Sequence, residues 1–193
     1  MIHINTKDAI NSLNKSLGNV TPDNQRKAIS RALNRGIKSG RTAGSKEVRK
    51  TYNMSAKSIT KATSLTNANK NRLYATLDIS GKPISLMNFK PKQTKKGVTV
   101  AVKKKERRTI NSAFIAAAGG IVGVWARGQY SGGEFEFRST RIRKTGPDLP
   151  IELLRSVSIA AAFNKERVLT AFNTRAVAVF TQRYEHELKK ILK

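Results

Sequence analysis

Residues 103–115 read KKKERRTINSAFI, and this stretch separates two parts of the chain that differ in composition. Five cations and one acid, at positions 103–108, lead directly into an apolar segment. Residues 1–110 hold 25 Lys and Arg against 5 Asp and Glu, whereas residues 111–193 hold 13 against 7. The change predicts a core-forming strand that begins near residue 113, with a charged loop at its start.

The net charge of +26 on 193 residues constrains the partners of the chain. Like charges at this density repel one another, so we expect the working state to include a polyanion, an acidic protein partner, or both. Nucleic acid is the commonest polyanion, and proteins bind it by neutralising its phosphates. Hydrophobic residues make up only 38% of the chain. We therefore expect one domain, or one domain with an arm, and a modest core concentrated after residue 110.

Cysteine content and apolar run length narrow the class of protein. The chain has no cysteine, so disulfides, thiolate catalysis and cysteine metal sites are excluded. The first 20 residues lack the apolar run of a signal peptide. The longest apolar stretch, residues 113–126, contains three glycines and is shorter than a membrane span. We expect a soluble protein, assembled in the cytoplasm, with no membrane partner.

Helical signals dominate the N-terminal third. Residues 2–5 predict a short strand or arm, and residues 6–17 predict a helix. Thr, Pro and Asp at positions 21–23 form a helix start signal, and the apolar spacing that follows predicts a helix to about residue 49. A second, short helix is predicted over residues 55–62, with Ser55 as its cap.

Three glycines recur every four residues on one side of the long predicted helix, at Gly36, Gly40 and Gly44. Each weakens a helix interior by about 1 kcal/mol relative to alanine. They could also form a smooth stripe against which another backbone packs. We favour the first interpretation, a helix of marginal stability.

Alternating apolar residues predict strands in the middle of the chain, at residues 73–79, 84–91 and 98–102. Residues 90–97 then form a hairpin tip, and residues 103–108 form the next loop. The Phe114-Ile115 pair and residues 121–125 predict two buried strands, which the flexible residues 116–120 join. A further strand is predicted near residues 135–142, and residues 151–157 fit either a strand or a helix.

The C-terminal residues 158–193 carry the strongest helical pattern, with a break near Phe163 and with Asn164 as the cap of the main helix. One apolar stripe runs along it, formed by Leu169, Phe172, Ala176, Phe180, Tyr184, Leu188 and Ile191. The predicted fold class is α+β: a mostly antiparallel sheet of about four to six strands, flanked by N-terminal helices and a long C-terminal amphipathic helix. We expect a helical basic region over residues 1–66 and an α+β core domain over residues 67–193.

Signals for catalysis or metal binding are weak. His186 lies between two glutamates on the C-terminal helix, where we expect a solvated side chain, and His3 lies near the N-terminus. Glu134 and Glu136 are the only acids that share a strand face, and no third ligand is near them in the sequence. A charged strand face explains them better than a metal site does. We expect no enzymatic activity, no metal and no cofactor.

Runs of cations on predicted loops are the main functional signal. Little aromatic sequence lies between them, so phosphate contact without base readout fits better than base stacking. The candidate residues for contact with a polyanion or an acidic partner are Lys95, Lys96, Lys103, Lys104, Lys105, Arg107, Arg108, Arg138, Arg141, Arg143 and Lys144.

A series of short motifs resembles the minor tail protein Z family of tailed phages, the tail completion proteins of lambda-like phages. The motifs are Ala28-Ile29-Ser30-Arg31-Ala32-Leu33-Asn34-Arg35 on the early helix, the cations of residues 103–108, Ala113-Phe114-Ile115, Trp125 followed by Arg127, Pro150-Ile151, Ala162-Phe163 or Ala171-Phe172, and Glu187-Leu188 before a basic C-terminus. Length and basicity agree as well, and the motifs span nearly the whole chain. This sequence has a longer glycine-rich insert at residues 128–133.

The resemblance implies a structural virion protein at the head–tail junction, or neck, which makes the tail competent to join the head and to pass DNA. Neck components act as rings around a channel, so the resemblance implies a homo-oligomer, with a sixfold ring expected. The implied partners are other neck and tail proteins (tail terminator, tail tube and connector) and packaged DNA. Subunit packing through the C-terminal stripe is expected, at Leu169, Phe172, Phe180, Tyr184 and Leu188.

Two other functions stay open from the residues alone. The chain could be a sequence-independent nucleic-acid-binding protein that acts outside any particle, or a basic nuclease without a recognisable motif. If the protein is found in purified virions, a neck role is favoured over the first of these functions. A cleavage assay with divalent metal addresses the second.

Overall fold

A computed structural model describes residues 21–127, 140–141 and 151–192 of the chain. The predicted arm at residues 2–5, the predicted helix at residues 6–17 and most of the predicted strand near residues 135–142 lie outside the described residues.

The described α-helices occur where the start signals and the apolar spacing predict them. They are α1 (Pro22–Thr51), α2 (Ala56–Lys61), α3 (Ile159–Phe163) and α4 (Glu166–Ile191), with a 3-10 helix at Leu86–Phe89. Asp23 lies in the first turn of α1 and Arg49 and Lys50 in its last turn, which suits the helix dipole. Ser55 Oγ accepts a hydrogen bond from the Ser58 N–H at 3.0 Å, so it caps α2 as predicted.

Short antiparallel strands make up the rest of the described fold. They are β1 (Thr63–Thr66), β2 (Thr76–Ile79), β3 (Pro83–Ser85), β4 (Lys92–Thr94), β5 (Gly97–Val100), β6 (Arg108–Asn111), β7 (Ala113–Ala118), β8 (Ile121–Arg127), β9 (Thr140–Arg141), β10 (Ile151–Leu153) and β11 (Arg155–Ser158). The predicted α+β class with antiparallel pairing is confirmed. Within the described residues, the strands form four small sheets: β1-β2, β11-β3, β4-β5-β6 and β7-β8-β10-β9.

The described residues divide into two compact units. A helical unit comprises residues 21–47, 60–79 and 163–192, and a sheet unit comprises residues 48–59, 80–127, 140–141 and 151–162. The boundary predicted between residues 66 and 67 falls inside the helical unit.

The helical unit is built on the packing of α1 against α4. The buried face of α1 and the stripe of α4 form one cluster, completed by residues of β2 and of the loop between β1 and β2. Its members are Ala28, Ile29, Ala32, Leu33, Ile37, Ala68, Ala75, Leu77, Phe172, Ala176, Phe180, Tyr184 and Leu188. The Phe180 and Tyr184 rings stack at 5.8 Å between centroids. The apolar spacing predicted on both helices therefore forms the core of this unit.

The glycine stripe of α1 is a packing surface, so our preferred interpretation of it as a merely marginal helix was wrong. A Cβ on Gly36 would lie 2.9 Å from the carbonyl oxygen of Ala176, and one on Gly40 would lie 3.0 Å from the side chain of Phe172. At Gly44, the ring of Phe163 would be 2.7 Å away. The missing side chains let α1 approach the backbone of α4 and the ring at the end of α3 more closely than alanine would allow.

The C-terminal stripe is not available for subunit packing. Phe172, Phe180, Tyr184 and Leu188 are buried against residues of the same chain, and Leu169 is half-buried. The prediction that this stripe packs against other subunits is therefore corrected: its apolar spacing reflects an intramolecular core.

The sheet unit buries one face of β5 and β6 and the second half of β8, whereas most of β7 is half-buried. Val98, Val100 and Ile110 are buried as the alternation predicts. Phe114 pairs with Trp125 across the hairpin, and the buried indole Nε1 donates a hydrogen bond to the Ala116 carbonyl at 2.9 Å.

Several local predictions differ from the structure. Residues 86–89 turn into a 3-10 helix instead of extending the strand, because Ser85 caps them through the Met87 N–H. Ile121 and Val122 were predicted to be buried but are 44% and 59% exposed, since they lie beside the Gly119-Gly120 turn at the hairpin end. Residues 151–157, which fitted either a strand or a helix, form strands, so here the structure selects one of the two alternatives.

The break before α4 lies where it was predicted, but the residue that caps α4 differs from the predicted one. Lys165, not Asn164, occupies the cap position, and it makes no side-chain cap hydrogen bond. Glu166 lies in the first turn, as expected.

Candidate polyanion-binding surfaces

The turn between β4 and β5 presents the first predicted pair of cations. Lys95 and Lys96 are exposed at its tip. Thr94 Oγ1 donates a hydrogen bond to the Gly97 carbonyl at 2.8 Å, and the Ser112 N–H donates to the Lys96 carbonyl at 3.0 Å. The backbone of the turn is therefore fixed, while both ammonium groups face solvent.

A second set of cations lies in the loop between β5 and β6, which we call the 103–108 loop. Its entry pairs with the segment after α1: Lys103 bridges to Tyr52 in antiparallel fashion, and the Lys104 N–H donates to the Thr51 carbonyl at 2.8 Å. The Asn53 N–H donates to the Val102 carbonyl, also at 2.8 Å. These bonds hold the start of the loop against the C-terminal end of α1, where cations are favoured by the helix dipole.

Within the 103–108 loop, the cations differ in solvent exposure and in ion pairing. Lys103, Lys104, Lys105 and Arg107 are exposed. Lys105 adopts a left-handed conformation with φ 64°, which turns the chain at this point. Arg108 instead forms an ion pair with Glu106. The loop therefore offers four solvent-facing cations.

The two sets of loop cations lie at opposite ends of one three-stranded sheet. Thr94 pairs with Gly97 at the first end of β5, and Val100 pairs with Arg108 at the other end. The first and last residues of this four-residue strand are three steps apart, a distance of about 10 Å. The structure therefore does not gather Lys95 and Lys96 into the same patch as the 103–108 loop.

The third predicted run of cations is described only at Arg141, which lies in β9 opposite Glu152 of β10. Arg138, Arg143 and Lys144 lie outside the described residues.

A further cation-rich surface, not among the predicted site residues, lies between α1 and α4 in the helical unit. Two adjoining depressions, of about 400 and 310 Å³, share Arg35 and Arg183 and so form one groove. We call it the α1–α4 groove. Its lining residues are Arg31, Asn34, Arg35, Lys38, Val179, Gln182, Arg183 and His186.

A buried carboxylate organises one side of the α1–α4 groove. Glu187 accepts one hydrogen bond from Arg31 at 2.9 Å and forms an ion pair with Arg183 at 2.5 Å, while its side chain is only 4% exposed. Burial alone would raise the pKa of Glu187, but the hydrogen bond from Arg31 and the charges of Arg183 and Arg31 outweigh burial and lower it. The carboxylate therefore stays charged and fixes both guanidinium groups.

The amide of Asn34 fixes a neighbouring part of the groove. Its Nδ2 donates to the Ala68 carbonyl at 2.9 Å, and its Oδ1 accepts from the Ala68 N–H at 2.7 Å. Both polar groups of Asn34 thus bind the loop that follows β1.

Of the two histidines, only His186 lies in the described part of the chain. His186 is exposed, as predicted, and lies on the wall of the groove; His3 lies outside the described residues, as do Glu134 and Glu136. Among the described residues, no three His, Asp or Glu side chains are grouped so that they could hold a metal ion. Over the same residues, no helix has the length and apolar composition that a membrane crossing requires.

Comparisons of the chain with protein-family models, with curated proteins and with solved structures find no match.

Proposed function

We propose that this chain is a non-enzymatic structural protein of a tailed bacteriophage, a tail completion protein at the head–tail junction. Its basic surfaces would face packaged DNA or the acidic surface of a neighbouring neck or tail protein. The observation that carries the proposal is the 103–108 loop, in which four exposed cations are held by backbone hydrogen bonds at the end of α1. A fixed loop of this kind can present the same charge from every copy of a symmetric assembly.

The residues of the resemblance have structural roles that agree with this proposal. Ala28, Ala32 and Leu33 belong to the buried face of α1. Phe114 and Trp125 pair across the β7–β8 hairpin. The motifs of the resemblance therefore include buried packing positions as well as the exposed cations of the 103–108 loop.

Self-association into a ring needs an interface outside the buried stripe of α4. The end of the β7–β8 hairpin supports such an interface, because Ile121 and Val122 are exposed there and residues 109–126 carry no charge. Two copies of a chain with net charge +26 repel each other over most surfaces, and least over an uncharged one. We propose a second copy of this chain as the occupant of the hairpin end.

The second candidate function is a sequence-independent nucleic-acid-binding protein that acts outside the virion. The exposed loop cations favour it equally, because phosphate contact does not depend on the particle. Location and copy number are the properties that separate the two candidates.

Quantitative mass spectrometry of purified virions of the phage that encodes this chain tests the proposal. We expect the protein in every particle, at the fixed low copy number of a ring, with six copies per virion as the expected value. Recovery of the protein on cellular DNA, together with its absence from purified virions, would reject the neck role and support the second candidate. A copy number that varies between preparations would contradict ring assembly.

A further inference from the structure

The α1–α4 groove concentrates positive charge that the chain itself neutralises only in part. Arg31, Arg35 and Lys38 project from α1, and Arg183 projects from α4. Glu187 is the carboxylate bound to this set, and it contacts Arg31 and Arg183. One carboxylate cannot balance four cations, so the groove keeps an excess of positive charge.

The cations of α1 follow one side of the helix at a regular interval. Arg31 and Arg35 are one turn apart, a rise of about 6 Å, and Lys38 follows after about 4.5 Å more. Among the described residues, no carboxylate forms an ion pair with Arg35 or Lys38. Both side chains are exposed, so they are free to meet a ligand.

Arg31 and Arg183 are held in position to bind the same ligand. Arg31 is 65% exposed and Arg183 is 42% exposed although both contact Glu187. A guanidinium group carries five donors in a planar fork, so contact with one carboxylate leaves donors for an oxyanion. Glu187 therefore acts as a positioning residue that limits the motion of two cations before a ligand arrives.

The lining of the groove favours phosphate over an acidic peptide. Val179 is the one apolar residue that lines the described groove, so the side chains of a peptide would find no apolar pocket. Successive phosphates of a nucleic-acid strand present a charge at each nucleotide and need no such pocket. Contacts of this type position a duplex without reading its sequence.

We propose that the α1–α4 groove is a sequence-independent binding site for the phosphodiester backbone of DNA. The ligand contacts Arg35 and Lys38 directly and the outer donors of Arg31 and Arg183. This site uses none of the residues of the 103–108 loop and does not depend on a role in the virion.

The salt dependence of binding to a 20-base-pair duplex tests this site. The variant R35Q/K38Q is compared with K57Q/K61Q, which removes the same charge from two exposed lysines of α2. The logarithm of the binding constant falls with the logarithm of salt concentration by about 0.9 per neutralised phosphate. We expect R35Q/K38Q to reduce this slope by about 2 and K57Q/K61Q to leave it close to the wild-type value, with equal effects for duplexes of unrelated sequence.

Two outcomes would overturn the proposal. Equal slopes for R35Q/K38Q and K57Q/K61Q would mean that binding responds only to net charge. Competition by poly-glutamate as effective as by DNA of equal charge would assign the groove to acidic protein instead. Circular dichroism and thermal unfolding of both variants serve as folding controls, and neither variant changes a buried residue. Because the assay uses purified protein and DNA, its failure leaves the virion measurement unaffected.

Discussion

The α1–α4 groove and the 103–108 loop both expose several cations, but they are built in different ways. In the groove, the cations project from two helices whose axes are brought together by Gly36 and Gly40. In the loop, the cations follow one another in sequence, and backbone hydrogen bonds to Thr51 and Asn53 hold the loop in place. The groove therefore depends on helix packing, whereas the loop depends on a local backbone arrangement.

Each surface also contains one carboxylate, and the two carboxylates differ in burial. The side chain of Glu187 in the groove is 4% exposed and forms ion pairs with two arginines. The side chain of Glu106 in the loop is 33% exposed and forms an ion pair with Arg108. Ion pairs that exclude water depend strongly on both partners, while exposed pairs contribute little. The comparison indicates that side-chain ion pairs position the cations of the groove, whereas backbone hydrogen bonds position those of the loop.

The largest expected effect comes from filling the glycine contact with the substitution G36V. A Cβ at this position would lie 2.9 Å from the Ala176 carbonyl oxygen and 3.3 Å from Phe180 Cβ, and the two added methyl groups worsen the overlap. We expect a loss of about 1–3 kcal/mol in the free energy of unfolding, as for other overpacked sites. Thermal unfolding should report a decrease of roughly 2–4 °C in Tm per kcal/mol.

The control for this substitution is G81A, because no atom lies within 4 Å of a Cβ at Gly81. Its effect should stay within about 0.5 kcal/mol of zero. If G36V were as stable as G81A, the close approach of α1 to α4 would be contradicted, and with it the construction of the groove.

A smaller effect is expected from removing the carboxylates one at a time. E187Q should lower the free energy of unfolding at pH 7 by about 1–2 kcal/mol, because a charge-assisted hydrogen bond is lost under partial burial. E106Q should cost no more than about 0.5 kcal/mol, as is usual for an exposed ion pair. Urea unfolding of the two variants measures the difference.

The pH dependence of the E187Q effect sharpens this comparison. The pKa of Glu187 is lowered in the folded protein, so its contribution is complete above the ordinary value of 4.5 and is lost as the pH falls through the folded-state pKa. The stability difference between wild type and E187Q should therefore be largest near neutral pH and should shrink below pH 4.5. A difference that is constant with pH would show that shape, not charge, explains the substitution.

Much of the fold follows from local sequence signals. Start signals and apolar spacing predict α1, a serine cap predicts α2, and apolar spacing predicts α4, because these features act within one element. The α1 glycines were misread because their role depends on the backbone of α4, which begins more than 100 residues later in the sequence. A spacing of four residues is compatible with either interpretation until the partner helix is known.

Of the two candidate surfaces, one could be predicted from the sequence and the other could not. The 103–108 loop is visible as a continuous run of charge, and its position after a strand was predicted. The α1–α4 groove was missed because its cations are separated by helical spacing and by the length of the chain between Arg35 and Arg183. One signal existed for half of it: Arg31, Arg35 and Lys38 recur on one side of a predicted helix. Nothing in the sequence marks Glu187 as the buried acid that joins the two helices.

Lysine acetylation of the intact protein with and without duplex DNA, read residue by residue by mass spectrometry, tests most directly whether the cations act at defined surfaces. We predict strong protection by DNA of Lys38 in the groove and of Lys103–Lys105 in the loop, while Lys57 and Lys61 on α2 react as fast as in the free protein. All of these lysines are exposed, so accessibility in the free protein does not separate them. Equal protection of every exposed lysine would contradict defined surfaces and would leave only the net charge of the chain.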